Sequence, residues 1–182
     1  MKTKTRTENH IGEEKDMYDR TQRWPGTDPA MDVFMGVDLG QSKDYTAIVV
    51  MEGLQFCDHY RVTHLERMRG VSYPKIVQRI EDLVQSDAIF GENVHLLVDK
   101  TGVGAHVVDL MFEKNLNPIG ITITGGDKPV RTYLNEWKTR QAWAVPKRDL
   151  LHNLLLMAQS GMFKIVDGLP DARILMDEMM TV

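Results

Sequence analysis

The chain has 182 residues, of which 42% are hydrophobic, and its formal net charge is −4 at neutral pH. This length predicts one domain with additional segments, and the apolar fraction is sufficient for an ordinary globular core. An acidic chain does not bind nucleic acid through its overall charge, so any such role requires a local basic patch. The single cysteine, Cys57, cannot form an internal disulfide, and no apolar run has the length of a membrane span. We therefore expect a protein of a reducing compartment with no membrane association.

Residues 1–30 differ in composition from the rest of the chain. Charged and polar residues dominate, the few apolar side chains have no sustained period, and residues 24–29 form the breaker cluster WPGTDP. This segment is predicted to be a mostly disordered tail or linker. The domain itself is predicted over residues 31–182.

The domain begins with three short apolar runs that are joined by polar turns, at about residues 32–38, 45–51 and 55–62. Such spacing is typical of an antiparallel meander of three strands. Residues 72–86 follow with apolar side chains on one face of a helix, and Ser72 and Pro74 suit its first turn.

The next part of the chain has a strand–helix–strand order. VHLLVD at 94–99 is a nearly continuous apolar run, which is typical of a buried strand, and a helix over 105–114 leads to a strand over 119–124. This order predicts a parallel crossover, and the whole pattern predicts an α/β fold: a mixed sheet with helices on its faces. The remaining predicted elements are a helix, a strand and a last helix, at about residues 150–160, 162–166 and from 171 onwards.

Asp38 and Asp99 each end a predicted strand, and a glycine-containing turn follows each of them. If the two strands are neighbours, the carboxylates meet at one edge of the sheet, where open α/β sheets form their sites. Close carboxylates repel each other unless a cation lies between them, and oxygen-rich sites suit Mg²⁺ or Mn²⁺. The competing interpretation is that both are ordinary turn residues, and Asp44 is a third carboxylate with the same two possible roles.

Several segments of the chain resemble the nuclease domain of phage terminase large subunits, which belongs to the ribonuclease H-like superfamily. The segments are GVDLGQSKDYTAIVV (36–50), LLVDKTGVG (96–104), GITITGG (120–126), VPKRDLL (145–151) and GMFKIVDGLPDARILMDEM (161–179). The resemblance implies a metal-dependent DNA endonuclease that cuts concatemeric viral DNA during genome packaging. It also implies two Mg²⁺ or Mn²⁺ ions, with Asp38 as the first metal ligand and Asp99 as the second.

The sequence departs from the family pattern in two respects. The motor ATPase that normally precedes the nuclease is missing, and no GxxxxGK[ST] phosphate loop is found. The family also places its third acidic ligand on a helix beyond the stretch that ends near Glu178. Asp177 and Glu178 are weaker candidates, because Leu175 and Met176 beside them indicate core packing. The resemblance therefore predicts a domain that is incomplete at its C-terminus, such as a fragment or a prophage remnant, with weak metal binding.

Residues 127–149 form the main concentration of positive charge within the domain. Six cations and three anions give this segment a net charge of +3, and Tyr133, Trp137 and Trp143 are interleaved with them. We predict that four of the cations contact the DNA backbone, namely Lys128, Arg131, Lys138 and Arg140. The alternative is a solvated surface with at least one tryptophan in the core.

The partners that the resemblance implies are double-stranded DNA, the terminase small subunit, the portal protein and the motor ATPase domain, in the host-cell cytoplasm. Three alternatives stay open. The first is a catalytically incomplete remnant or an interaction module of the packaging machine. The second is an actin-like or sugar-kinase-like phosphotransferase, whose phosphate hairpin also begins with the DxG pattern of Asp38 to Gly40. The third is a nuclease of the Holliday-junction resolvase or transposase type, with the same fold and metals but another substrate.

Overall fold

The computed structural model describes residues 32–41, 44–53, 59–102 and 104–180, so the predicted tail over residues 1–30 lies outside the described residues. These ranges contain eight strands and four helices. In chain order they are β1 (Asp32–Asp38), β2 (Tyr45–Gly53), β3 (Tyr60–Arg69), α1 (Tyr73–Val84), β4 (Asn93–Asp99), α2 (Gly104–Glu113), β5 (Ile119–Thr124), β6 (Val130–Tyr133), β7 (Gln141–Pro146), α3 (Lys147–Gln159), β8 (Phe163–Ile165) and α4 (Ala172–Met180).

The strands form a single mixed sheet with the order β6-β7-β5-β4-β1-β2-β3-β8. The first three strands pair as the predicted antiparallel meander. β4 lies parallel to β1, and β5 and β7 continue the parallel part on that side. β6 and β8 are the two edge strands. β6 is antiparallel to β7, and β8 is parallel to β3. The predicted α/β class with a mixed sheet is confirmed.

The main core lies on one face of the sheet, which we call the first face. Alternate residues of β1 and β2 point into it, and the apolar stripes of α1 and α2 cover them. Met35, Ile48, Ile80, Val98 and Met111 are at most 1% exposed there. The 3.6-residue period predicted α1 correctly because the burial of that stripe is what stabilises the helix.

The opposite face, the second face, is covered more thinly. α3 contacts β7 and β8 near opposite edges of the sheet. The β7–α3–β8 connection crosses the sheet toward β8, whereas the connections through α1 and α2 cross it toward β6. Because strand–helix–strand crossovers are right-handed, opposite directions place the helices on opposite faces, and α3 lies on the second face. No residue of α3 or α4 is buried, and Met176 is 56% exposed. The expected core packing around Asp177 is therefore wrong.

Two further differences from the predicted elements concern strands with charged residues. β3 ends at Arg69 rather than near Val62. In its second half, Glu66 points to the first face, where Arg79 of α1 binds it, and the residues on either side of Glu66 point to the second face. β6 and β7 lie in the segment that reads as a polar loop. No helix in the described part of the chain is long and apolar enough to cross a membrane.

Candidate active site

Asp38 and Asp99 lie side by side at the carboxyl ends of two neighbouring parallel strands. In the register of β1 and β4, Val37 is opposite Val98, and each aspartate is the next residue of its strand. Both point to the second face, since Val37 and Val98 are buried in the core of the first face. The structure thus brings together the two carboxylates that the strand-end pattern paired.

The two carboxylates influence each other electrostatically. Partial enclosure of the Asp38 carboxyl by the protein raises its pKa, and the negative charge of Asp99 raises that pKa further. No lysine, arginine or histidine among the described residues forms an ion pair with either side chain. A cation between them would relieve the repulsion.

The number of ligands limits what kind of metal site this is. Within residues 32–41, 44–53, 59–102 and 104–180, no group of three or more His, Cys, Asp or Glu side chains is placed to hold a metal ion. Mg²⁺ in phosphate-processing sites is commonly held by one or two carboxylates, with water and substrate phosphate completing its coordination. The pair Asp38 and Asp99 fits that description.

The turn after β4 fixes the orientation of Asp99. Its Oδ1 accepts hydrogen bonds from the backbone N–H of Thr101 at 2.8 Å and from the Thr101 hydroxyl at 2.6 Å. α2 begins so close to this turn that a Cβ on Gly104 would clash with the Asp99 carbonyl oxygen. Asp99 is therefore a turn residue by its contacts as well as a candidate metal ligand, and the turn holds its carboxylate on a rigid base.

The turn after β1 is fixed in a similar way. The N–H of Gly40 donates to the buried Thr46 hydroxyl at 3.1 Å, and the Tyr73 hydroxyl of α1 donates to the Gly40 carbonyl at 3.3 Å. Asp44 is exposed beside this turn and lines a cavity of about 460 Å³ between the turn and the start of α1. Asp38 and Asp99 do not line that cavity, and Asp44 does not join them in a cluster.

A row of directly paired residues runs across the second face through the two aspartates. On one side, Asp99 pairs with β5, β5 with β7, and β7 with β6, and on the other side Asp38 pairs with β2, and β2 with β3. From edge to edge the row consists of Arg131, Trp143, Ile121, Asp99, Asp38, Ala47 and Arg67. Because directly paired residues share a face, both ends of the row present an arginine on the side of the aspartates.

Two of the four predicted DNA-binding cations lie on the aspartate side of the sheet. Arg131 is on the row itself, three strands from Asp99 and within 5.6 Å of the Tyr133 ring. Lys128 precedes β6 at the edge where the carboxyl ends of β4, β5 and β7 lie, and it is exposed. Arg131 therefore shares the face of the aspartates, and Lys128 shares their edge of the sheet.

The other two cations lie elsewhere. Lys138 is in the turn between β6 and β7, at the opposite end of these strands, and has a φ of 55°. Arg140 forms an ion pair with Asp109 of α2 at 3.4 Å and lies 3.9 Å from the Phe112 ring centre. Arg140 therefore links the β6–β7 turn to α2.

Asp177 and Glu178 are exposed on α4, and neither joins Asp38 and Asp99 in a group that could hold a metal. The pattern of single strands did not reveal Arg67, because its place at the end of the row depends on the register of β3. The local pattern gave no signal either, since residues 65–69, LERMR, do not alternate between apolar and polar side chains.

The sequence matches no protein-family model, and no curated protein matches it. Similarity appears at the level of structure. The large terminase nuclease from thermophilic phage G20c with bound magnesium superposes with a TM-score of 0.57 at 19% identity, over 84% of this chain and 65% of that chain. This chain thus spans less than two thirds of the G20c nuclease chain.

Two other solved structures show the same likeness. The manganese-soaked human cytomegalovirus terminase nuclease domain gives a TM-score of 0.54 at 11% identity, over 84% of this chain and 74% of that chain. The large terminase of a second thermophilic bacteriophage gives 0.52 at 12% identity, over 85% of this chain and 34% of that chain. At these identities the comparisons show the fold, which is the mixed α/β, ribonuclease H-like fold of terminase nuclease domains.

Proposed function

We propose that the chain is a metal-dependent DNA endonuclease unit of the terminase large-subunit type. The observation that carries this proposal is the adjacent pair of Asp38 and Asp99, uncompensated by any cation among the described residues, at the carboxyl edge of a terminase-nuclease fold. Similar solved structures with bound magnesium or soaked with manganese support the choice of metal.

The two aspartates would hold one or two Mg²⁺ or Mn²⁺ ions. When bound, such ions stabilise the negative charge that develops on the phosphate and favour the attack of water on it. Asp99 contributes a carboxylate that Thr101 has already oriented, so little conformational freedom is lost on binding. Asp38 would bind the metal as a carboxylate, and because its pKa is raised by partial enclosure and by Asp99, protonation competes with the metal at higher pH than for an ordinary aspartate.

The chain's own cations would position the DNA. Arg131 and Lys128 lie on the aspartate side, where their charges would attract the phosphate backbone toward the metal ligands. We also propose Lys138 and Arg140 as DNA contacts. Arg140 is the weaker candidate, because Asp109 already binds its guanidinium group. Asp44, Asp177 and Glu178 stay proposals as additional ligands.

The wider role follows the same likeness. We propose that residues 31–182 form the nuclease domain, that residues 1–30 form a linker or tail, and that the protein cuts concatemeric double-stranded DNA during packaging in the host cytoplasm. The terminase small subunit, the portal protein and a motor ATPase are the proposed partners. The chain spans only part of the length of the similar terminase structures, so this activity and these partners go beyond what the structural likeness covers.

The test is nicking of supercoiled plasmid by the full chain, with Mg²⁺, Mn²⁺ or a chelator. We expect metal-dependent nicking that falls at least about 100-fold in Asp38→Asn and in Asp99→Asn, because each variant removes a charge that holds the metal. Asp87→Asn is the matched control, because it removes the same charge from an exposed turn away from the site.

Two outcomes would refute the proposal. Nicking that is unchanged in Asp38→Asn would place the activity elsewhere in the chain or in a contaminant. No metal-dependent nicking by the wild-type chain would favour the second candidate, an incomplete remnant or interaction module. That candidate is supported by the observation that no third carboxylate joins the pair within the described ranges.

A further inference from the structure

We propose that Arg67 and Arg69 of β3, together with the ring of Tyr45, form a second contact for the DNA backbone, on the side of the aspartates opposite to Arg131. This inference rests on the proposed function, because it assigns the path that the DNA takes over the same site. None of the four cations predicted from the sequence belongs to this surface, which we call the β3 clamp.

The register of the sheet places Arg67 on the face of Asp38. Arg67 pairs with Ala47 and Ala47 pairs with Asp38, so Arg67 and Asp38 lie on the same face, two strands apart. At the usual strand spacing this separation is about 10 Å, which equals the axial rise of about three nucleotides of one DNA strand. Ala47 between them is small and leaves the surface open.

The guanidinium groups of Arg67 and Arg69 lie together at one aromatic ring. Tyr45 pairs with Arg69, and the Arg67 and Arg69 guanidinium carbons lie 4.4 Å and 5.5 Å from the Tyr45 ring centre. The ring, which is 45% exposed, holds both cations next to each other at the end of the strand. Two adjacent cations that are already positioned lose less side-chain entropy when they bind successive phosphates.

The charges of Arg67 and Arg69 differ in availability from those of several other arginines. Four other arginines of the described residues are held in ion pairs within the protein. These ion pairs are Arg61–Glu52, Arg79–Glu66, Arg140–Asp109 and Arg148–Asp127. Within the described residues, Arg67 and Arg69 form no ion pair, so their charge remains available to an external anion.

The position of the clamp identifies the anion. The row spans six strand intervals from Arg131 to Arg67, which is about 29 Å, or the axial rise of about eight base pairs. The aspartates lie between its two ends. The part of the row from Asp38 to Arg67 spans about 10 Å, and the phosphates of the DNA strand at the proposed site are regularly spaced negative charges over this length.

The test measures the binding of the full chain to a 30-base-pair fluorescent duplex by anisotropy, over a series of salt concentrations in the presence of Ca²⁺. Each of Arg67→Gln and Arg69→Gln is expected to reduce the slope of log K against log salt by about one unit, and the double variant by about two. Gln keeps much of the side-chain length, and circular-dichroism melts will show whether each variant is folded. Lys164→Ala is the matched control, because Lys164 lies on β8, opposite Arg61 and far from the Asp38 row along β3.

A slope equal to that of the wild type in the folded double variant would overturn the clamp. The nicking assay separates this failure from failure of the proposed function. If Asp38→Asn abolishes nicking while the arginine variants bind normally, the nuclease stands and the DNA path is wrong. If the arginine variants lose the slope while Asp38→Asn still nicks, the clamp stands and the proposed site is wrong. A slope reduced equally by Lys164→Ala would also overturn the clamp, because the effect would then come from net charge alone.

Discussion

At the scale of single residues, the chemistry of the site rests on the proximity of two like charges. The pKa of Asp38 is raised first by its partial enclosure and second by the charge of Asp99. In the absence of metal, the ionised carboxyl therefore costs the folded state free energy that the unfolded chain does not lose. Sites that bind a cation often accept such a cost, because the ligand later compensates it.

This repulsion predicts how stability depends on pH. Because the pKa of Asp38 is higher in the folded state than its ordinary value of 3.8, the contribution of this carboxyl is fully present below that value. The contribution is lost as the pH rises through the folded-state pKa. We expect Asp38→Asn to gain stability over the wild type through that pH range and to keep the gain at neutral pH. Since the Asp38 side chain stays largely exposed to solvent despite this partial enclosure, screening should hold the gain below about 1 kcal/mol.

Urea denaturation in the presence of a chelator, from pH 3.5 to 7.5, measures this difference. Addition of Mg²⁺ is the internal control, because metal that binds the folded state should stabilise the wild type and leave Asp38→Asn unchanged. A variant that is less stable than the wild type at neutral pH without metal would show that the two carboxylates do not repel each other in the folded protein.

At the scale of secondary-structure elements, the two turns that follow β1 and β4 determine where the carboxylates point. Each turn depends on a glycine at a point of close backbone approach. A Cβ on Gly40 would lie 2.5 Å from the Tyr45 carbonyl group, and one on Gly104 would meet the Asp99 carbonyl oxygen. Because the backbone is this close at Gly40 and Gly104, the β1–β2 hairpin and the start of α2 determine the conformation of the turns that carry Asp38 and Asp99.

Gly104→Ala should therefore disturb both the fold and the site. We expect the free energy of unfolding to fall by about 1–3 kcal/mol, the usual cost of forcing an extra carbon into packed structure. Metal-dependent nicking should fall as well, because the turn that orients Asp99 must shift. Gly125→Ala is the matched control, since a Cβ there meets nothing within 4 Å, and urea denaturation compares the two. Equal stabilities would show that α2 does not need this close approach.

The sequence predicted the elements whose pattern is determined locally. The meander, α1, α2 and the strand-end aspartates follow from apolar periods and turn residues, and the adjacency of Asp38 and Asp99 followed once β1 and β4 were neighbours. The end of β3 and the strands β6 and β7 were missed, because their charged side chains face ion-pair partners or solvent rather than an apolar layer. Arg67 was missed for a different reason: its place beside Asp38 depends on the register of three strands, which joins residues that are far apart in sequence.

At the scale of the whole molecule, the two faces of the sheet differ in how much apolar surface they bury. The first face carries the buried residues of α1 and α2, which include Ile80 and Met111. On the second face, α3 has no buried residue, and Leu156 is 52% exposed. The candidate site lies on this second face, so it is built on strands that the first face stabilises.

This asymmetry predicts a gradient of local stability. Regions with few buried apolar contacts open with a low free energy, whereas core elements open only on global unfolding. Amide hydrogen exchange should therefore be slowest in β1, β4 and α1 and fastest in α3 and α4. In the same way, Ile80→Ala should cost about 2–5 kcal/mol of unfolding free energy, and Leu156→Ala should cost no more than about 0.5 kcal/mol.

Hydrogen exchange followed by mass spectrometry, together with urea denaturation of the two variants, measures both quantities. The two substitutions are matched controls for each other, since each truncates a four-carbon aliphatic side chain to alanine within a helix. Equal costs, or equally slow exchange in α3 and α1, would show that α3 is packed as firmly as the helices of the first face. The gradient also bears on function, because strands anchored from the first face can keep Asp38 and Asp99 in register while α3 on the second face opens locally.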